Sequence, residues 1–199
     1  MVIRLFFVAA VFSLLLGCAQ NHAWYDNARV LEATPTHPAS GGKEQRTFVA
    51  SEVKDANLGP VYVEEVTVKG TKPGTYPKEF LPRLALAARA GAAAAVMESK
   101  RFSALVDSED AAEYLLSAEA LVHVAVLEDG RVVEDPVMGD IRSKAVVVYT
   151  ITNRATGRVA VKYSNIVYSD WGYTKRVYED LERKLNSAGA DLLFIFVEM

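Results

Sequence analysis

Between residues 113 and 126 the chain alternates. Even positions Tyr114, Leu116, Ala118, Ala120, Val122, Val124 and Val126 are apolar, while Glu113, Ser117, Glu119 and His123 fall among the odd ones. A period of two puts the even set on one face, so the segment predicts a half-buried strand. An earlier run, Val61 to Val68, is rich in β-branched residues and predicts another strand. Lys144 to Thr152 and Arg158 to Tyr168 predict a hairpin about Asn153–Gly157, with Gly157 supplying a positive φ.

Two segments have the helical period. From Phe80 to Met97, positions Leu81, Leu84, Ala88, Ala92, Ala95 and Val96 share one face, and Pro82 suits the first helical turn. The many alanines predict close approach of this helix to a sheet; Gly91 serves the same purpose at about 1 kcal/mol of helix propensity. After Tyr173 a second helix carries Val177, Leu181, Leu185 and Ala188 on its apolar stripe, with Glu179 and Arg183 paired on the wet side. Gly189 is read as its stop. The apolar run Leu192 to Val197 is short and β-favouring, and predicts a buried terminal strand. With a short strand before Asp107 and a connection from Glu128 to Asp140, the order predicts an α+β fold: a mixed sheet with two helices packed on one face.

The first residues follow another logic. A basic start ending at Arg4 leads into an uncharged apolar run, Leu5 to Leu16, then Gly17 and Cys18. The run is too short for a membrane span, which needs about 20 apolar residues, and has the zones of a signal peptide. Leu15-Leu16-Gly17-Cys18 resembles the bacterial lipobox, whose cysteine receives lipid before cleavage. That resemblance implies a lipidated Cys18, and Ala19 in place of an inner-membrane retention Asp implies the periplasmic face of the outer membrane. The expected organisation is signal peptide 1–17, lipidated tether 18–47 and periplasmic domain 48–199. The tether is read from Thr34 to Gly42, which is made of turn and linker residues.

Charge and chemistry narrow the field. The chain carries 22 basic and 25 acidic residues, interleaved, with no basic face for nucleic acid. Cys18 is the only cysteine, so lipidation leaves no thiol for a disulfide, a zinc site or a nucleophile. His22 and His37 lie in the tether, leaving His123 alone in the domain, where a strand histidine is usually hydrogen-bonded and not catalytic. Acid groups at Asp107, Glu109 and Asp110, and at Glu134, Asp135 and Asp140, sit in turns, where carboxylates are ordinarily solvated. No catalytic residue, metal site or cofactor is expected. Tyr163, Tyr168, Trp171, Tyr173 and Tyr178 gather where the last hairpin strand meets the last helix; they either form a partner-binding corner or plug the joint between helix and sheet.

Three short matches carry a resemblance. Glu98 to Val106 is similar to a helix-end, small turn, Phe, strand step; Ala112-Glu113-Tyr114-Leu115-Leu116 to an A-D-Y-L strand start; and Asn153 to Arg158 to a D-x-x-T-G hairpin. Together they resemble periplasmic lipoprotein domains of the TolB amino-terminal, CsgG and LpoB type. Glu113 stands where that group usually has Asp, and Asn153 where it usually has an acidic turn residue. The lipopolysaccharide-assembly lipoprotein LptE and lipid-import auxiliary lipoproteins share a similar order. The expected function is a lipid-anchored, non-catalytic accessory that binds an envelope protein through Tyr168, Trp171, Tyr173 and Tyr178 or through a sheet edge, with oligomerisation open. One alternative is a lipid-transport auxiliary holding an acyl chain between the alanine-rich helix and the sheet. The other is a peptidoglycan-acting enzyme using Glu109, Asp110 or His123.

Overall fold

A computed structural model describes residues 45–71, 76–124, 143–169 and 174–199. Leu15, Leu16, Gly17, Cys18, Trp171, Tyr173, Glu134, Asp135 and Asp140 lie outside them, as does nearly all of the segment read as tether.

The strands are β1 (Gln45–Val49), β2 (Val61–Val63), β3 (Thr67–Gly70), β4 (Leu105–Val106), β5 (Tyr114–His123), β6 (Lys144–Asn153) and β7 (Val159–Tyr168). The helices are α1 (Phe80–Ser99), α2 (Thr174–Ala190) and α3 (Leu192–Glu198). The strands form one mixed sheet in the order β1-β7-β6-β5-β2-β4, and β3 continues along the edge of β5. β5, β6 and β7 are an antiparallel meander closed by β1, whereas β2, β3 and β4 run parallel within their pairs. The parallel part is built by the crossover through α1, as a parallel pair requires.

The alternation at residues 114–124 sets the sheet's inner face. Tyr114, Leu116, Ala118, Ala120, Val122 and Val124 are buried, opposite Ala145, Val147, Tyr149 and Ile151 of β6. The α+β expectation holds, with α1 and α2 on this one face. The run from Val61 to Val68 is broken: β2 stops at Val63 and β3 starts at Thr67. Where β2 ends, Arg89 of α1 donates from Nε and Nη2 to the Val63 carbonyl at 3.2 and 2.9 Å. This bond satisfies an acceptor exposed by the break. At the predicted hairpin, Gly157 has φ +68° and Asn153 Oδ1 accepts from the Thr156 amide at 3.0 Å, so asparagine performs the turn bonding of the expected acid.

Several expectations are corrected. The small residues of α1 meet a second helix as well as the sheet, where the Tyr149 hydroxyl of β6 donates to the Ala88 carbonyl at 3.4 Å. A Cβ at Gly91 would lie 2.0 Å from the Asn186 carbonyl oxygen, and one at Gly189 would lie 2.7 Å from the Ala88 oxygen and the Ala92 nitrogen. The backbones of α1 and α2 therefore touch at these two glycines, and Gly189 sits inside α2 instead of ending it. Arg183 pairs with Asp180, one residue from the predicted Glu179.

A further correction is at the C-terminus, where Leu192–Glu198 is a helix. Leu192, Ile195 and Phe196 are buried, the spacing of a helix face, and Phe196 meets Phe102 edge-on with centroids 5.2 Å apart. Propensity favoured a strand, but docking of this face into the core outweighs preferences of well under 1 kcal/mol per residue. Among the described residues α1 is long and apolar enough to cross a bilayer. Its buried face, Leu84, Ala88, Gly91, Ala92 and Ala95, belongs instead to the domain core.

Candidate binding site

The sequence-predicted aromatic corner divides. Tyr178 is half-buried, its ring edge-on to Phe80 with centroids 4.4 Å apart, and burial, then the nearby Tyr76, raises its pKa above the ordinary value. Phe80 in turn lies 5.8 Å from Tyr76. Tyr178 thus closes the start of α1 over the core. Tyr168 is half-buried at the end of β7, opposite Lys144. Tyr163 belongs to the interior, stacked on Tyr149 at 6.3 Å. Asn165 Nδ2 donates to the Tyr163 hydroxyl at 3.0 Å. Burial pushes both phenols far above their ordinary pKa, with Asp191 adding to the effect. They stay neutral at any physiological pH. Asp191, at the α2–α3 junction, has its own pKa raised by burial.

Of the described turn acids Asp110 has a structural partner, as has the histidine. Arg154 reaches from the hairpin turn to Asp110, with Nη2 2.7 Å from Oδ1 and Nη1 3.2 Å from the backbone oxygen. His123 Nδ1 and Thr71 Oγ1 share a hydrogen bond at 2.9 Å, which joins the end of β5 to the residue after β3. Asp107 and Glu109 are exposed. These groups sit in separate contacts and do not converge on a common point.

Among the described residues the alanine face of α1, at Ala88, Ala92 and Ala95, is buried in the core, with α2 crossing it at Gly91. Open space lies on the other side of α1. A cavity of about 610 Å³ opens where α1 ends, between Leu58, Val96, Met97, Lys100, Arg101 and Leu105. A second, of about 320 Å³, lies along the outward side of α1 by Tyr62, Leu86, Arg89 and Leu105. Leu105 lines both. Leu86 and Met97 are each 66% exposed, on a face that also presents Ala90. α3 contributes a separate apolar surface: Phe194 and Val197, each 68% exposed, stand three residues apart on its outer side.

None of Met97, Lys100, Arg101, Phe194 and Val197 stood out as a binding residue in the sequence. Lys100-Arg101 reads there as part of a fold step, and Phe194 and Val197 as members of an unbroken apolar run.

No family model and no curated protein matches the chain. Among solved structures it is similar to a dodecamer of a PelC variant from Paraburkholderia phytofirmans, at 15% identity over 78% of this chain and 98% of that one, TM-score 0.46. It is also similar to a DUF330 protein from Xanthomonas campestris, at 12% identity over 72% and 87%, TM-score 0.43. A neuraminyllactose-binding hemagglutinin homologue from Helicobacter pylori gives 15% identity over 81% and 88%, TM-score 0.36. Likeness at this level informs neither ligand nor partner.

Proposed function

We propose that this chain is a lipid-anchored accessory lipoprotein of the outer membrane, facing the periplasm, that works by binding an envelope protein and not by catalysis. Its anchor is the lipid on Cys18, in the sequence Leu15-Leu16-Gly17-Cys18. Within this reading the domain is a relative of the TolB amino-terminal, CsgG and LpoB group.

The observation that carries the binding role is the pair Phe194 and Val197. Both stand in solvent on a helix whose other face, Leu192, Ile195 and Phe196, is fixed in the core. A rigid helix presenting an aromatic and an aliphatic side chain loses little conformational entropy on docking. Apolar surface held open in this way marks an interaction site, and aromatic anchors dominate such interfaces. The partner surface is accordingly an apolar pocket on an envelope protein.

The test is co-purification from solubilised envelopes with Phe194→Ser/Val197→Ser. Loss of a specific protein that wild type retains, with thermal stability unchanged, supports the reading. Equal recovery removes α3 as the docking surface. Differently tagged copies in the same cells report whether the recovered protein is a second copy of this chain.

A further inference from the structure

We propose that the outer side of α1 is the contact between two copies of this chain, which pair helix against helix, antiparallel, about a two-fold axis midway between Ala90 and Ala93. The observation that carries it is a second apolar face on α1. Leu86, Ala90, Ala93 and Met97 follow one another at intervals of four, three and four residues, the spacing of a single helical stripe. They lie opposite Leu84, Ala88, Ala92 and Ala95, which are buried in the core. Leu86 and Met97 are each 66% exposed, and Ala90 is exposed as well. A helix with apolar residues on both sides is ordinarily covered on both, and the core covers one.

The order of sizes names the partner. Leu86 and Met97 are large, Ala90 and Ala93 between them are small, and the stripe reads the same from either end. Laid antiparallel on a second copy, it sets Leu86 against the other copy's Met97 and Ala90 against the other copy's Ala93. The alanines let the two helices close, and the large residues seal the ends. Such self-complementarity is what a two-fold interface requires. Leu86 and Met97 are about 16 Å apart at the rise of an α-helix, so in this register only the reversed direction brings them together.

Charge agrees with that direction. β2 passes Leu86 and Arg89 and then leads into Glu64 and the exposed Glu65. At the far end, past Met97, Lys100 is exposed. Antiparallel pairing brings the lysine end of each copy to the glutamate end of the other, whereas parallel pairing would set like charges together. The area sets the strength. Two large side chains and two alanines from each copy, with Leu105 at the margin, make a contact smaller than the about 1,200 Å² at which stable complexes begin. The pair is therefore reversible, with a Kd in the micromolar range or weaker. Its surface is distinct from Phe194 and Val197.

Sedimentation equilibrium of the full chain in density-matched detergent reads the pairing, and a monomer–dimer equilibrium is expected. Ala90→Glu places a good helix former at an exposed position, so it should leave Tm unchanged while weakening the dimer about tenfold or more. Glu65→Lys and Lys100→Glu should each weaken it several-fold, and the two together should restore it. Direction is read by copper-phenanthroline oxidation. A Leu86→Cys copy mixed with a Met97→Cys copy should give a disulfide dimer, whereas neither variant alone should, because like positions lie too far apart. Wild type, whose one cysteine is Cys18, is the blank. Phe194→Ser/Val197→Ser should dimerise like wild type, so failure here is separable from failure of the docking role. Three results would overturn the inference: a chain monomeric at every concentration, a dimer untouched by Ala90→Glu, or Leu86→Cys pairing with itself as readily as with Met97→Cys. The first would assign the stripe to a different protein or to a bilayer surface.

Discussion

Replacing Gly91 with alanine tests the packing on which the helical layer depends. The added carbon would stand 2.0 Å from the Asn186 carbonyl oxygen, 2.9 Å from its carbonyl carbon and 3.0 Å from the Ala190 nitrogen. All three atoms are backbone, so no side-chain rotation relieves the clash, and α1 and α2 must part by more than an ångström. Overpacking of this kind costs about 1–3 kcal/mol, and the rigid obstruction favours the upper end. Alanine returns about 1 kcal/mol in helix propensity. The net expectation is a loss of about 2 kcal/mol, or about 4–8 °C in Tm for a domain of this size. Circular dichroism during thermal and urea unfolding measures it. Gly189→Ala strikes the same crossing from the other helix, so the double variant should lose less than the two single losses added together. A Gly91→Ala protein as stable as wild type would refute backbone contact between the helices.

Other expectations follow from the same contacts. Phe196→Ala should cost about 3–5 kcal/mol while Phe194→Ala stays within about 0.5 kcal/mol, measured by urea unfolding; the reverse order would restore the strand reading of the C-terminus. Asp191 has a raised pKa in the folded state, so the folded protein binds more protons than the unfolded chain between the unfolded and folded values. Stability from this group therefore falls as pH rises through that window. Asp191→Asn should flatten that part of the pH–Tm curve, and an unchanged curve would dismiss the burial of the carboxyl as its cause. The Arg154–Asp110 contact is solvent-exposed, and a double-mutant cycle on it should give a coupling below about 1 kcal/mol.

What could be read from the sequence was whatever one element determines by itself. The even positions from Tyr114 to Val124 face the core because a strand alternates whatever lies against it. The stripe Val177, Leu181, Leu185 and Ala188 is buried for the corresponding helical reason. The partner of each face was not legible. Alanines on α1 announce close approach, but only folding brings Gly91 to Gly189 and makes the approach helix to helix. Leu192 to Val197 has no polar position to break the symmetry between periods, so the contact of Phe196 with Phe102 decides its form. The aromatic corner was open between binding and packing, and Tyr178 is engaged with Phe80. The Nε and Nη2 donors of Arg101, shut off from solvent and without a hydrogen-bond partner among the described residues, have no signature in sequence at all, since they are defined by what fails to lie beside them.

Site-specific photocrosslinking in living cells addresses the docking role most directly. A photoreactive residue at position 194 of the full chain should yield an adduct with one envelope protein, and Cys18→Ser, which removes the proposed lipid attachment point, should abolish it. Crosslinks absent at both 194 and 197 from a well-expressed protein, or an adduct that forms equally without Cys18, would contradict an anchored binding module working through α3.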